Sequence, residues 1–272
     1  MSGRTSAVLG ARAFEVAVGV AVAVALVACS GGGGTARVTA TPSPAPDGPG
    51  GETALYVAVG ASETTGAGTE VPLREAWPQV LFRTAMSPAT VFVNMGLPGA
   101  TVARALAVVV PTAASQQPDI ATVWLNVNDV VAGVEAADFE RDLGRVVSAL
   151  RRNGATRVLV ANTPPIDHLP SYLACRPDPP PAAPPCRAAA GEMPPPEVVN
   201  QVVADCNAAT ARVAQREGAE LVDLHTVGLR AREAGIADAL VSADGFHPNA
   251  GGHQAVANAF AEVLARPPAP PR

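Results

Sequence analysis

The chain has 272 residues, a formal net charge of −5 at pH 7, 48% hydrophobic residues and only 4% aromatic residues. This length suits one domain of ordinary size with a sizeable core, together with short terminal segments. The mildly negative charge argues against nucleic acid as a main partner, and the low aromatic content provides no platform for stacking bases.

The first residues have the features of a bacterial targeting segment. Arg4 and Arg12 precede an apolar run from Val16 to Ala28, which is shorter than the ~20 residues of a membrane-spanning helix. The run leads directly to Cys29 and resembles a lipoprotein signal, in which cleavage precedes the cysteine and its thiol is lipidated. We therefore expect a signal peptide at 1–28 and a membrane-anchored, extracytoplasmic protein of the cell envelope. An uncleaved anchor or a plain secretory signal is the alternative.

Residues 29–52 consist mainly of Gly, Pro, Ser, Thr and Ala, with almost no large apolar side chain. Such a composition cannot bury a core, so we expect a disordered tether between the lipid anchor and the domain. A short disordered tail is expected at 267–272, which leaves 53–266 as the folded domain.

Within that domain, apolar runs typical of β-strands alternate with helical patterns. The predicted strands are Ala54–Val59, Thr90–Asn94, Ala121–Asn126, Arg157–Ala161 and Glu220–Leu224. The predicted helices are Leu73–Met86, Thr101–Val110, Ala136–Asn153, Glu197–Glu217 and Asn249–Ala265. Nearly continuous apolar strands are covered on both faces, and alternation with helices indicates parallel pairing. The pattern predicts a three-layer α/β/α sandwich around a five-stranded parallel sheet.

Residues suited to serine-based ester chemistry occur where these strands end. Ser62 follows the first strand as a candidate nucleophile, and such a serine needs a nearby base and donors for an oxyanion. The turn Asp244-Gly-Phe-His247-Pro248 offers His247 as the base and Asp244 as its partner. The segment Asn94–Thr101 offers a glycine backbone N–H, and Asn126-Val-Asn128-Asp129 offers a side-chain amide. In parallel sheets, ligands bind beyond the carboxyl ends of the strands, so one edge can assemble these groups.

The order of these segments resembles that of the SGNH, or GDSL-type, serine hydrolases. That family has a serine block, a glycine block, a Gly-x-Asn-Asp block and a terminal Asp-x-x-His-Pro block. The resemblance implies a flavodoxin-like strand order and a catalytic triad of Ser62, His247 and Asp244. It also implies an oxyanion hole from the backbone amides of Ser62 and Gly99 and the side chain of Asn128.

Two residues depart from the family's pattern, and a third is unusual. Ala61 replaces the usual Asp of the serine block, and Asn126 replaces the Gly that opens the third block. Neither position carries the chemical step, but an Asn side chain occupies space that a glycine leaves to substrate or backbone. Glu63, directly after the nucleophile, is unusual too; we interpret it as a solvated loop charge, with a role in substrate choice as the alternative.

The segment Thr163–Pro196 contains twelve prolines in 34 residues and follows the fourth strand. Loops of this length inside a compact domain are usually functional or disordered. Our hypothesis is a partly rigid flap beside the active site that helps to set substrate choice. The alternative is a tolerated surface insertion.

Three cysteines remain once Cys29 is assigned to lipid. Outside the cytoplasm they can form one disulfide, and Cys175–Cys186 is the local choice, with Cys206 as an alternative partner for either. Their spacing does not suit a zinc site.

The other titratable candidates have structural interpretations. His168 lies in the insertion, His225 follows the fifth strand, and His253 is expected at the surface or in packing. Asp223 ends the fifth strand, where it competes with Asp244 as partner of the base or caps the next turn.

The sequence therefore predicts a serine esterase that acts on short acyl or acetyl esters, on envelope glycans or lipids, without metal or organic cofactor. We expect a monomer that does not bind nucleic acid. Transfer of the acyl group to another alcohol would use the same triad. A non-catalytic binding lipoprotein that retains the fold is the alternative from a different class.

Overall fold

The computed structural model of the protein describes residues 54–181, 183–186 and 193–268. The predicted signal peptide, the lipidation site Cys29, the tether and residues 269–272 lie outside this part, so they stay predictions. Within the described residues, no helix has the length and hydrophobicity required to cross a bilayer.

All five predicted strands form and pair in parallel in a single sheet of order β2-β1-β3-β4-β5. They are β1 (Leu55–Gly60), β2 (Val91–Gly96), β3 (Ile120–Trp124), β4 (Arg157–Ala161) and β5 (Glu220–Val222). The strand β1 lies between β2 and β3 and is aligned with both, since Tyr56 lies opposite Phe92 of β2 and Ile120 of β3. This confirms the predicted α/β fold with its flavodoxin-like strand order.

Helices lie between the strands and after the last one. They are α1 (Ser62–Thr65), α2 (Pro72–Glu75), α3 (Trp77–Ala85), α4 (Val102–Val108), α5 (Val110–Ser115), α6 (Val127–Val131), α7 (Ala136–Arg151), α8 (Pro170–Leu173), α9 (Pro196–Glu217), α10 (Leu224–Glu233) and α11 (Ala250–Leu264).

One predicted helix is divided in the structure, and another is followed by a helix that was not predicted. The pattern 73–86 forms α2 and α3, which are separated by the non-helical Ala76, and Pro78 lies in the first turn of α3. The pattern 101–110 forms α4, and α5 begins at its last residue, with Pro111 in the first turn. Proline lacks the N–H that would continue the preceding helix, so each new helix begins just before one.

The helix α10 is absent from the sequence-based prediction. Gly228 lies in its middle, and a glycine weakens the helical pattern. The strand β5 consequently ends at Val222, two residues earlier than predicted.

Separate cores cover the two faces of the sheet. One contains Phe139, Leu143 and Leu150 of α7 against the strands. The other contains Trp77 of α3 stacked on Phe260 of α11, with ring centroids 4.4 Å apart. Burial of each such ring contributes about 2–3 kcal/mol, and the two cores together fix the strand ends relative to one another.

Candidate active site

The nucleophile candidate lies in a tight turn between β1 and α1. The strand ends at Gly60, and Ser62 is the first residue of α1. A side chain at Gly60 would place its Cβ only 1.9 Å from Oγ1 of Thr64 and 2.9 Å from the carbonyl oxygen of Trp124. Only glycine fits at this position, because the turn brings the first helical residues back against the strand end.

Three side chains form a hydrogen-bonded chain from this turn to the carboxy-terminal part of the protein. His247 Nε2 lies 2.9 Å from Ser62 Oγ, and His247 Nδ1 lies 2.6 Å from Asp244 Oδ2. An ionised carboxylate only accepts hydrogen bonds, so Nδ1 carries the proton of the neutral imidazole. Nε2 is then the acceptor, and the Ser62 hydroxyl donates to it.

Asp244 is held in place by its own turn. Its Oδ1 accepts hydrogen bonds from the backbone N–H groups of Phe246 and His247, at 2.8 and 2.9 Å, and from the Ser242 hydroxyl at 2.8 Å. Partial burial works to raise the pKa of Asp244, but these donors and His247 outweigh it and hold the pKa well below its usual range. The carboxylate is therefore ionised beside the imidazole, where it can stabilise a positive charge.

The glycine block is tied directly to the nucleophile turn. The Asn94 side chain donates a hydrogen bond to the Thr64 carbonyl at 2.7 Å, and the Leu97 N–H donates to the Gly60 carbonyl at 2.8 Å. Gly99 follows two residues later with a φ of 69°. No heavy atom lies within 4 Å of where its Cβ would be, so the backbone of Gly99 borders open space.

The third block is tied to the glycine block in turn. The Asn128 amide donates a hydrogen bond to the Ala100 carbonyl at 3.0 Å, which places Asn128 beside the residue that follows Gly99. The next residue, Asp129, accepts from the Val102 N–H at the start of α4, at 3.0 and 3.1 Å. Burial raises the pKa of Asp129 to about 6, although the Val102 N–H favours the ionised form. Hydrogen bonds thus connect the segments of Ser62, Gly99 and Asn128.

The two departures from the family's pattern face the protein interior. Ala61 is buried in the core on the α7 side of the sheet. Asn126 is buried and donates from its side chain to the Ala161 carbonyl at the end of β4, at 3.1 Å. Asn126 is not among the residues that line the cavity described next, so its side chain takes no space there.

A cavity of about 310 Å³ adjoins the hydrogen-bonded chain. Its wall includes Phe246 and Pro248, which flank His247, and apolar side chains of α10 and α11. Glu63 also lines it, and here the sequence-based interpretation is wrong. The side chain is not a solvated loop charge, since Glu63 is only 6% exposed. Burial raises the pKa of Glu63, while its own backbone N–H and a protonated His247 work in the opposite direction.

The proline-rich insertion packs on the turn that carries the base. The Ser171 N–H donates to the Gly245 carbonyl at 3.0 Å. A side chain at Gly245 would place its Cβ 2.9 Å from the Ser171 nitrogen and 3.1 Å from Pro184. The Cys175–Cys186 disulfide joins the two arms that carry these contacts. Cys206 is a buried free thiol whose pKa burial raises to about 11.

The remaining histidines lie outside the hydrogen-bonded chain. His253 is fully buried; it accepts from the Trp77 N–H through Nδ1 and donates through Nε2 to the Ala67 carbonyl. It is a packing residue, and burial lowers its pKa. His225 contacts the Thr163 carbonyl, and His168 lies beside Asp167.

Asp223 caps α10 instead of contacting His247. It accepts hydrogen bonds from the Thr226 N–H and hydroxyl, at 3.0 and 2.6 Å. Between the two carboxylates weighed as partner of the base, the geometry therefore favours Asp244.

Sequence reasoning missed the position of Glu63 and the link made by Asn94. An Asn just before the glycine block was visible, but its contact with the Thr64 carbonyl depends on the pairing of β2 with β1. A charged residue directly after the nucleophile was the only signal for Glu63.

The comparisons with known proteins agree with this architecture. The sequence model of the GDSL-like lipase/acylhydrolase family matches residues 58–255. A lipolytic protein of the G-D-S-L family from Veillonella parvula is 18% identical, with 78% of this chain and 99% of that chain covered and a TM-score of 0.57. No curated protein sequence matches this chain.

Two further solved structures illustrate the range of proteins with this fold. A lipase/acylhydrolase from Enterococcus faecalis is 16% identical, over 77% of this chain and 94% of that chain, with a TM-score of 0.58. A family 3 carbohydrate esterase from Clostridium thermocellum is 16% identical, over 78% of this chain and 96% of that chain, with a TM-score of 0.54. At these identities the similarity establishes the fold alone.

Proposed function

Because the chain belongs to the GDSL-like lipase/acylhydrolase family and is a hydrolase of ester bonds, we propose that it cleaves carboxylic esters through an acyl-Ser62 intermediate. The observation that carries the proposal is the hydrogen-bonded chain from Ser62 through His247 to Asp244, at 2.9 and 2.6 Å. Short acyl and acetyl esters are the proposed substrates, and the modest volume of the adjoining cavity supports compact groups.

In the first half of the reaction, Ser62 Oγ attacks the ester carbonyl carbon while His247 Nε2 takes its proton. The charge on the carbonyl oxygen is stabilised by the backbone N–H groups of Ser62 and Gly99 and by the Asn128 amide. Asp244 stabilises the imidazolium that forms. His247 then gives its proton to the leaving alcohol as the carbon–oxygen bond breaks, which leaves an acyl ester on Ser62.

In the second half, water takes the place of the alcohol. His247 removes a proton from the water as its oxygen attacks the acyl carbon, and it returns that proton to Ser62 Oγ when the acid departs. An alcohol in place of water would give acyl transfer with the same groups.

The proposed location is the outer side of a bacterial membrane, with Cys29 as the lipid anchor. Support comes from the apolar run that ends at Cys29. The Cys175–Cys186 disulfide also supports it, since such bonds persist in oxidising compartments.

The proposal is tested by hydrolysis of p-nitrophenyl acetate and its longer homologues by the purified protein, beside Ser62→Ala and His247→Ala variants. We expect turnover that falls by at least about 10³-fold in each variant, because nucleophile and base act as a unit. Equal release of p-nitrophenol by wild type and both folded variants would overturn the serine mechanism and favour the binding-protein alternative.

A further inference from the structure

The carboxyl group of Glu63 is the feature that the proposed mechanism does not use. Glu63 follows the nucleophile directly in α1, is 6% exposed, and lines the cavity of about 310 Å³. Much of the surrounding wall is apolar and includes Trp124, Leu224 and Val227. A carboxyl group in such a wall is destabilising unless it has a partner.

Within the described residues, Glu63 forms no salt bridge with an arginine. Arg232 lines the same cavity, but it pairs with Asp167 at 2.7 Å. Burial disfavours ionisation of Glu63, whereas its backbone N–H and a protonated His247 favour it. His168 and Asp238 also line the cavity, but both residues are exposed to solvent, unlike Glu63.

The cavity lies next to the two residues that would act on the ester bond, Ser62 and His247. Glu63 adjoins Ser62 in the chain, and Phe246 and Pro248 flank His247 in the same wall. A group of the substrate in this space, next to a carbonyl carbon at Ser62 Oγ, would bring a polar atom within a few bonds of the ester to Glu63.

The chemistry of that polar atom follows from the buried position of the carboxyl group in an otherwise apolar wall. A carboxyl oxygen accepts a hydrogen bond whether or not the group is ionised, and an alcohol hydroxyl donates one without adding a charge to the cavity. Resting on the proposed function, we infer that Glu63 is a specificity-determining residue that selects esters bearing a free hydroxyl close to the scissile bond on an otherwise apolar group. The hydroxyl can belong to the acyl part or to the alcohol part of the ester.

Two matched pairs of esters distinguish a hydroxyl on the acyl part from a hydroxyl on the alcohol part. On the acyl side, p-nitrophenyl β-hydroxybutyrate is compared with p-nitrophenyl butyrate. On the alcohol side, ethylene glycol monobutyrate is compared with ethyl butyrate, by titration of released acid. We expect the wild type to prefer the hydroxylated member of one pair by about tenfold or more in kcat/KM, because an unpaired buried carboxyl group penalises the plain ester.

Substitutions at Glu63 then test whether that preference comes from the carboxyl group. Glu63→Leu is expected to bring the ratio within a pair close to one, whereas Glu63→Gln, whose amide also donates and accepts, retains part of it. Glu70→Leu is the control, since Glu70 lies in the segment between α1 and α2 but is exposed and does not line the cavity. A purely structural role of Glu63 would lower both members of a pair equally and leave the ratio unchanged.

Binding measurements keep this inference separate from the proposed function. Calorimetric titration of the same probes into Ser62→Ala protein, with and without Glu63→Leu, requires no turnover. A hydroxyl preference in binding that disappears with Glu63→Leu supports recognition of the hydroxyl by Glu63. If the same protein hydrolyses no ester, only the proposed function is overturned. The inference is overturned if the ratio of hydroxylated to plain ester is the same with and without Glu63→Leu in both the kinetic and the binding assay. It is also overturned if no probe binds.

Discussion

Two regions border the proposed site, and they are held in different ways. The sheet-edge segments, which carry Ser62, Gly99 and Asn128 after β1, β2 and β3, are tied to one another by hydrogen bonds that involve the backbone. The insertion, Thr163–Pro196, reaches the base through contacts at Gly245, among them one hydrogen bond. We therefore expect the chemical step to depend mainly on the sheet-edge segments and the turn of His247, and the insertion to have a smaller effect through Gly245.

The largest expected effect comes from the partner of the base. Asp244→Asn keeps the size of the side chain but removes the charge that stabilises the imidazolium. In the serine-protease triad the equivalent change lowers kcat by about 10⁴-fold, and we expect a loss of about 10³-fold or more here. Steady-state kinetics with p-nitrophenyl acetate measures it.

The control for this change is Asp205→Asn, an exposed carboxylate on α9 that bonds Gln201. It should leave kcat unchanged. If Asp244→Asn loses no more activity than this control, Asp244 is not the partner of the base.

The next effect concerns the oxyanion. Asn128→Ala removes one proposed donor, and loss of such a donor lowers kcat by about 10²- to 10³-fold elsewhere. We expect a loss of that order in kcat with little change in KM, since the donor acts mainly on the transition state. Asn258→Ala on the exposed face of α11 is the control. A change confined to KM would assign Asn128 to ground-state binding instead.

A smaller effect concerns the pH dependence of stability that arises from Asp129, which joins two of the sheet-edge segments by accepting from the Val102 N–H. Because the pKa of Asp129 is raised to about 6 by burial, the folded state holds this proton more tightly than the unfolded chain does. The resulting stabilisation is complete below about pH 4 and is lost as the pH rises through about 6, by on the order of 2 kcal/mol. Asp129→Asn does not titrate, so the variant should lack this part of the pH dependence.

Thermal denaturation of both proteins between about pH 4 and pH 7.5 measures the difference. The Tm of the wild type should fall relative to that of Asp129→Asn as the pH rises. Parallel curves would mean that Asp129 titrates normally in the folded protein.

The smallest effect concerns the insertion. Gly245 has a φ of 74°, and Gly245→Ala would also push its Cβ against Ser171 and Pro184. Displacement of the base turn by a fraction of an ångström is expected to lower kcat by about tenfold. Gly154→Ala is a matched control, because Gly154 also has a positive φ, of 94°, and its nearest contact is an arginine side chain at 3.7 Å. Equal kcat in the two variants would show that the insertion does not adjust the base.

Much of this account could be predicted from the sequence, because strand ends in a parallel sheet meet at one edge. That rule placed Ser62, Gly99 and Asn128 together, and the residue types of the 244–248 turn indicated where the base lies. The burial of Glu63 could not be predicted, since the residues that line the cavity with it, in α10 and at 237–241, are distant in the chain and leave no signal near Glu63 itself. The contact of Ser171 with Gly245 was equally hidden, because it joins segments 74 residues apart in the chain.

The central claim is that Ser62 is a nucleophile activated by His247, and covalent labelling tests it most directly. A fluorophosphonate probe should react with the wild-type protein at one site, and peptide mass spectrometry should place the adduct on Ser62. The adduct should be absent from Ser62→Ala and form much more slowly in His247→Ala. An unlabelled folded wild type, or an adduct on any other residue, would contradict the account.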